Sequence, residues 1–600
     1  MLFFRRFSKI EEGTVQDQGT TTAHDAPGDF VSEGGLKFTV EQGGNESQPS
    51  YQEVSGAPVE THSPLGYSVG PLTIMFLNIS KMVGTGVYST PSSVLTGTGS
   101  VGLSLIFWFI GSLIAARSLS VYLEYASYFP NRSGSEVVYL EQAYPRPKYL
   151  LPLAFAAQSV ILSFSSSNAI VLARYLFRIN GHAPSDWELK GVAIAGYSIA
   201  VLLLLFHTRF SYWISNSIGV VKLITLVFVA ITGLVVLGGN TNVTNLTANF
   251  QNSFEGASTA YGVTNALVKV IFSYAGYDNA FNVVNEVKNP VKTIHNNAFI
   301  SLFIVTTLYE FANIAYLAAV PKAELKKSSQ IAASLFFEKV FGKGGAVRGL
   351  NFLIALSAFG NIITVLLGQS RLIRECGRQG VLPWPRFWAS TEPFGTPTGP
   401  YFLKWALTIL MILAPPAGDA FNFVVDLRTY PQAFFDTAMA VGLFFVRYRR
   451  KKLGAPPSEF RAYDIVIAFS IFSNVYLLIM PWYPPVTGRN GGDVSFWYAT
   501  YVVVGIAILV LCGLYYCVWV YCLPRLGNYV IRQEVLILDN GVTSHSLIKV
   551  PNSELEAWDA KHDALGRSVN SSSADLASEG TESHGSGFQK EQGKATEEMV

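Results

Sequence analysis

Hydrophobic and polar positions divide the chain into three unequal parts. Residues 1–70 are rich in Gly, Ser, Thr, Gln and Glu, and the stretch from about 540 to 600 has the same character. With few aliphatics to bury, both read as disordered tails. Between them lie twelve apolar segments of about membrane-spanning length, roughly 20 residues each. They fall near 71–96, 102–127, 150–177, 190–207, 213–238, 260–286, 296–319, 346–372, 400–414, 421–446, 462–481 and 497–522. Residues 330–341 (QIAASLFFEKVF) form an amphipathic pattern too short and too charged to span. The expected division is an N-terminal tail over 1–70, a membrane domain over 71–522 and a mostly disordered C-terminal tail over 523–600.

Positive charge along the connections orients these segments. With the N-terminal tail in the cytoplasm, the inside loops hold Arg132, Arg146 and Lys148; Arg209; Lys288 and Lys292; Arg371, Arg374, Arg378 and Arg386; and the cluster Arg447, Arg449, Arg450, Lys451 and Lys452. Residues 239–259 on the other side have no Lys or Arg; the loop at 320–348 is the exception. Both termini are therefore expected in the cytoplasm, and the sequons at Asn242 and Asn245 outside, where glycosylation can reach them. MLFFRRFSKI lacks the apolar core of a signal peptide, so the first spanning segment is expected to direct targeting.

Composition agrees with an all-α polytopic membrane protein: half the residues are hydrophobic and 14% charged. The formal charge of +2 supplies no field for nucleic acid. Cys376, Cys512, Cys517 and Cys522 form no CxxC pair and suggest neither a disulfide framework nor a metal site. No nucleophile–base set is visible, which sets an enzyme aside, and no cofactor is implied. Gly97 to Gly102 matches GxGxxG, but it joins two apolar segments with no strand before it, so it is a turn.

Two segments are interrupted in equivalent places. The first, in KMVGTGVYSTPSSVL, breaks at Val83-Gly84-Thr85-Gly86; the sixth weakens at Ala275-Gly276, followed by Asp278. Glycine and proline weaken or stop helices, and backbone groups left unpaired in hydrocarbon cost several kcal/mol each. A zwitterion satisfies both half-helix ends, its carboxylate on the freed N–H groups and its ammonium on the freed carbonyls. Paired interruptions point to a binding site between two inverted repeats, here about 71–238 and 260–446, with added helices over 462–522. Lys222 lies about ten residues into the fifth segment, roughly 15 Å along the helix. An ionisable group there is expensive and usually functional. Lys81 either pairs with Asp278 or faces the inner vestibule. Glu310, Asp426, Arg428 and Asp436 are further intramembrane charges expected to pair among themselves, with no individual partners assigned by the sequence.

These stretches resemble a known family. MVGTGVYSTPSSVL resembles the first-helix motif of the amino acid–polyamine–organocation (APC) transporters, and FSYAGYDNAFNVVNEVKNP their sixth-helix motif. SRLIRECGRQGVLP resembles the end of their eighth helix, and SGSEVVYLEQAYPRP the loop after their second. Within the L-amino-acid transporter branch the details are similar to fungal high-affinity methionine permeases. The resemblance implies twelve transmembrane helices in a five-plus-five inverted repeat, helices one and six broken, working by alternating access at the plasma membrane. By motif position Gly84, Thr85 and Gly86 hold the substrate carboxylate. Carbonyls near Met82, Phe272 and Ser273 take the ammonium, and Phe272 gates the site. Lys222 falls where proton-coupled relatives place a lysine that stands in for sodium, which makes the proton the expected coupling ion. Ala275 replaces a frequent glycine and narrows the pocket; Asp278 stands where others have Asn and adds a second protonation site. No cysteine lies in an expected outside loop, so no heavy-chain partner is implied. Tail lysines of related permeases are ubiquitinated, which makes Lys9 and Lys37 candidates for ubiquitin-ligase machinery.

The function these observations imply is import of a neutral amino acid, methionine foremost. Broader neutral amino acids, GABA or polyamines remain as substrates, although a polyamine needs several acidic groups at the site. A sensor without sustained transport is the alternative from another class, weakened by tails that carry no folded domain. A channel is disfavoured because broken helices around an enclosed lysine offer no pore lining.

Overall fold

The computed structural model describes residues 30–33, 36–39 and 70–562, the last with short internal breaks such as 131–133, 244–246 and 538–542. The first apolar segment is helical over Pro71–Met82, Gly86–Ser89 and Pro91–Thr98, with residues 83–85 non-helical. The sixth is an α-helix over Ala260–Tyr274 and a 3₁₀ helix over Asn279–Glu286. Both interruptions lie where the glycines predicted them. The other segments follow as Val101–Tyr128, Leu150–Ile161 with Ser166–Ile179, Asp186–Phe206, Thr208–Leu237, Pro290–Ala319, Gly345–Arg378, Thr398–Leu413, Ala420–Lys452, Asp464–Ile479 and Thr500–Cys517. The expected amphipathic helix is Ala332–Phe341, and the GxGxxG stretch is the turn between two helices, with Gly99 at φ +73°.

Among the described residues, eight helices are long and apolar enough to cross a membrane: segments two to five, seven, eight, eleven and twelve. The remaining four fall short for visible reasons. Segments one and six are cut into pieces, and segment nine has 16 residues. Segment ten is long but carries Asp426, Arg428, Asp436 and the basic run from Arg447 to Lys452.

Segment four shows how these helices are dressed. Ala193, Tyr197, Ala200 and Leu204 lie on one face and are buried, while Ile199, Leu202 and Phe206 are about half exposed. A helix apolar on its exposed face matches a hydrocarbon surrounding rather than water. The interrupted segments sit inside. The first half of segment one packs on segments five, seven and eight, and the first half of segment six on segments two and ten. The amide side chain of Asn78, fully buried, accepts from the Ala280 N–H at 3.0 Å, and Asn279 donates to the Leu77 carbonyl at 3.2 Å. Side chains of each broken segment thus satisfy backbone of the other.

Segment three carries a break that composition did not predict: residues 162–165 are non-helical, with neither Gly nor Pro among them. The stretch assigned to the C-terminal tail also contains regular structure. Tyr529–Ile537 pairs antiparallel with Thr543–Pro551, and Leu555–Asp559 is helical, with Arg532 held by both carboxylate oxygens of Asp559 at 2.9 Å. The β-branched and aliphatic clusters YVI and VLI at the two ends of the first strand favour an extended chain, and the polar residues beyond masked that signal. In the N-terminal tail Phe30–Glu33 pairs with Leu36–Thr39.

Candidate functional site

A cavity of ≈ 210 Å³ opens at the two breaks. Met82, Gly84, Thr85 and Gly86 line it from segment one, and Phe272, Ala275, Gly276 and Asp278 from segment six. Val83 and Ser273 do not: Val83 is buried, and the Ser273 hydroxyl lies 3.0 Å from that of Thr90 and donates to the Lys269 carbonyl at 2.8 Å. Eight of the ten expected binding positions therefore share one cavity.

The freed backbone groups are divided between the protein and the cavity. Among the described residues, the N–H groups of Thr85, Gly86, Val87 and Tyr88 have no backbone acceptor, as at the start of any helix. The carbonyls are treated differently. The buried Tyr309 hydroxyl lies 2.7 Å from the Met82 carbonyl and 3.1 Å from that of Ser273, and the Phe272 carbonyl accepts from the Ala275 N–H at 3.2 Å. The Met82 carbonyl also accepts from the Gly84 N–H at 2.7 Å, and the one Tyr309 proton is shared between Met82 and Ser273. Met82 is therefore the best satisfied of the three, while Phe272 and Ser273 keep a lone pair open.

Polar side chains from four segments brace the first break. Thr85 donates to Asn168 at 2.8 Å, Asn168 to Asn361 at 2.8 Å, and Asn361 to the Lys81 carbonyl at 2.9 Å. The Lys222 ammonium donates to the Ser80 carbonyl at 3.0 Å and is 1% exposed. It sits behind the break rather than in the cavity, at the negative end of the first half-helix. Gly276, at φ +133°, lets segment six lie against the backbone of Lys81 and Met82, a conformation that side chains rarely adopt.

Six charged side chains line the cavity. Lys81 and Asp278 pair at 2.8 Å, the first of the two alternatives for Lys81. Arg117, Arg428, Glu136 and Asp436 line the same space. Three cationic and three acidic side chains therefore face it in balance. Asp436 accepts from Gln432 at 2.9 Å, and one oxygen of Glu310 is buried without a hydrogen-bond partner among the described residues. Asp426 pairs with none of the charges first grouped with it. Its partner is Lys269, at 2.7 Å, which lies 3.1 Å from Asp493 as well. Asp493 belongs to the connection before segment twelve. Burial pushes its carboxyl up, but Lys269, Asn265 and Tyr261 outweigh that and hold it below the usual carboxylate range. One turn along segment six from Lys269, Phe272 meets the Phe421 ring edge-to-face at 5.9 Å.

Sequence reasoning missed Asn168, Asn361, Tyr309 and Lys269. The two amides and the lysine are polar groups inside apolar segments, the same signal that singled out Lys222. Tyr309 gave none, because its hydroxyl becomes informative only beside the carbonyls it bridges. Asn242, Asn245 and Lys9 lie outside the described residues; Lys37 is in a strand, its side chain outside them. All four cysteines are free, Cys376 and Cys512 buried and the other two exposed.

Comparison with known proteins decides the family. The Amino acid permease family matches residues 69–509, most of the chain and both breaks. The chain belongs to the amino acid permease family. This permease is 35% identical over 502 residues to the high-affinity methionine permease of Saccharomyces cerevisiae, covering 83% of this chain and 87% of that one. It is 28% identical over 496 residues to the low-affinity methionine permease of the same yeast, covering 81% and 89%. A b(0,+)-type amino acid transporter 1 of Mus musculus is 27% identical over 421 residues, covering 69% of the permease and 82% of the mouse chain. The permease is thus a multi-pass membrane transporter of amino acids and not an enzyme.

Proposed function

We propose that the permease imports a neutral L-amino acid, methionine foremost, across the plasma membrane by proton-coupled alternating access. The observation that carries this reading is the 35% identity to a high-affinity methionine permease over 83% of the chain. In this reading twelve segments span the membrane as two inverted five-helix repeats plus two helices, with both termini cytoplasmic. The N–H groups from Thr85 to Tyr88 receive the carboxylate, and the open lone pairs at Phe272 and Ser273 receive the ammonium. Balanced charge around the cavity supports a net-neutral ligand over a polyamine, whose several positive charges need a surplus of acids.

Cells lacking their own permeases and expressing this chain are expected to accumulate labelled methionine, with leucine, cysteine and GABA as competitors. Methionine uptake at background overturns the substrate assignment.

Lys222 is assigned the proton. An ammonium at Ser80 supplies the charge that a metal cation would otherwise bring to the end of the first half-helix, and burial makes its charged form costly enough to exchange. Lys222→Ala is expected to remove accumulation driven by an acid-outside gradient while leaving the protein at the cell surface. Full gradient-driven accumulation by that variant refutes proton coupling through Lys222.

A further inference from the structure

Besides Lys222 and Lys269, a third lysine is buried among the described residues. Lys404, on segment nine, is fully buried, and its ammonium donates to the Ser163 carbonyl at 2.5 Å and to the side-chain oxygen of Gln369. Ser163 lies in the unpredicted break of segment three. One turn further along segment nine, the Thr408 hydroxyl accepts from the Ser165 N–H at 3.1 Å. Residues four apart share a helix face, so a single face of segment nine satisfies both ends of that break. It does for segment three what Lys222 and Asn361 do for segment one.

The ion pair expected of a buried lysine is missing. Among the described residues no carboxylate pairs with Lys404, and the charges that act on it, Arg428 and Lys81, are both positive. An ammonium among neutral acceptors and like charges is an expensive way to hold two helices together. What it holds faces the cavity: Gln369 and Leu162 line it, and so does Asn168, two residues into the helix that starts after the break. Asn168 accepts from Thr85 and donates to Asn361. The contacts thus run from segment nine to the segment-three break, along three residues of chain to Asn168, and from Asn168 to the side chain of Thr85, whose N–H is expected to receive the substrate carboxylate.

We propose that Lys404 is a positioning residue of the transport site, its ammonium fixing the segment-three break so that Asn168 holds Thr85 in its binding conformation. The inference rests on the transport reading above.

The test compares the unmodified chain with Lys404→Met and Lys404→Arg in permease-deficient cells, each at matched surface level. Uptake of all twenty amino acids by the unmodified chain is measured first, and the comparison uses whichever is transported best. A substrate other than methionine then corrects the substrate assignment alone, whereas no uptake of any removes the reading on which Lys404 depends. Lys404→Met leaves a buried carbonyl and amide without their donor and is expected to raise KM about tenfold or more, with a smaller change in maximal rate. Lys404→Arg, which keeps charge and donors, is expected to recover most of that loss. An unchanged KM in Lys404→Met at normal surface level overturns the proposal. So does a variant altered only in maximal rate and pH profile, since that pattern marks a proton carrier.

Discussion

Gly86→Ala is expected to abolish uptake, by about a hundredfold or more on the scale of a misplaced transport site. A Cβ built at position 86 meets the Ser273 hydroxyl at 2.5 Å, its Cα at 2.6 Å and its Cβ at 2.7 Å. Two of these atoms belong to or hang directly from the backbone of segment six, so no rotamer change relieves the clash. The segments must separate, and the contacts that join them, the Thr90–Ser273 hydroxyl pair and the Tyr309 hydroxyl shared between the two break carbonyls, lengthen with them. Overpacking of this kind costs about 1–3 kcal/mol of stability, which a chain of this size tolerates while its binding geometry does not. Gly84→Ala is the comparison: its Cβ meets the Asn361 amide nitrogen at 2.5 Å, the end of a side chain that can turn away. It is expected to fold better than Gly86→Ala and to lose affinity through the Asn361 bond to Lys81. Uptake kinetics at matched surface level, with thermal unfolding of the purified proteins, check both. Wild-type KM and maximal rate in Gly86→Ala refute the close-packing argument.

The two breaks that frame the cavity were legible because glycine announces them. Val83 to Gly86 and Ala275-Gly276 interrupt apolar runs with residues of poor helix propensity, and in both places the chain leaves the helix. Segment three breaks as well, at Leu162-Ser163-Phe164-Ser165, with no helix breaker in it. That interruption depends on donors and acceptors from segment nine, 240 or so positions away, and no local pattern encodes them. The same limit explains the C-terminal hairpin, whose strand alternation was hidden under the low-complexity residues that follow it.

Site chemistry was legible one partner at a time. Lys222 stood out as a charge in an apolar run, and the paired alternative for Lys81 named Asp278 correctly. What a linear reading lacked was pairing over distance. The sequence groups Asp426 with Glu310, Arg428 and Asp436, while its partner Lys269 lies 157 positions earlier. Carbonyls at Met82 and Ser273 looked free for a ligand because nothing in the sequence brings Tyr309 to them. Backbone vacancy is therefore a conclusion for the structure, and the candidate site narrows accordingly: amides without a backbone acceptor among the described residues on one side, and the carbonyls of Phe272 and Ser273 on the other.

Lys269→Met is expected to destabilise the permease by about 3–5 kcal/mol, the usual consequence of removing one partner from a buried ion pair. Lys269 is fully buried and serves two carboxylates, Asp426 at 2.7 Å and Asp493 at 3.1 Å. Their fates differ once it is gone. Asp493 keeps the Tyr261 hydroxyl at 3.0 Å, while Asp426, 1% exposed, loses its only ionic partner among the described residues. Lys269→Met combined with Asp426→Asn is accordingly expected to recover a large part of the loss, since an amide needs no counter-charge. Activity should not follow stability back. The pair ties segment six to segment ten beside the Phe272–Phe421 contact, and the double variant removes that ion pair while leaving the ring contact. Its KM is expected to stay raised, because Phe272 lines the cavity and its position relaxes with the helix. Thermal unfolding separates the first expectation and uptake kinetics the second. A single variant as stable as the unmodified chain, or a double variant no more stable than the single one, shows that the Lys269 pair contributes nothing to holding segment six in place.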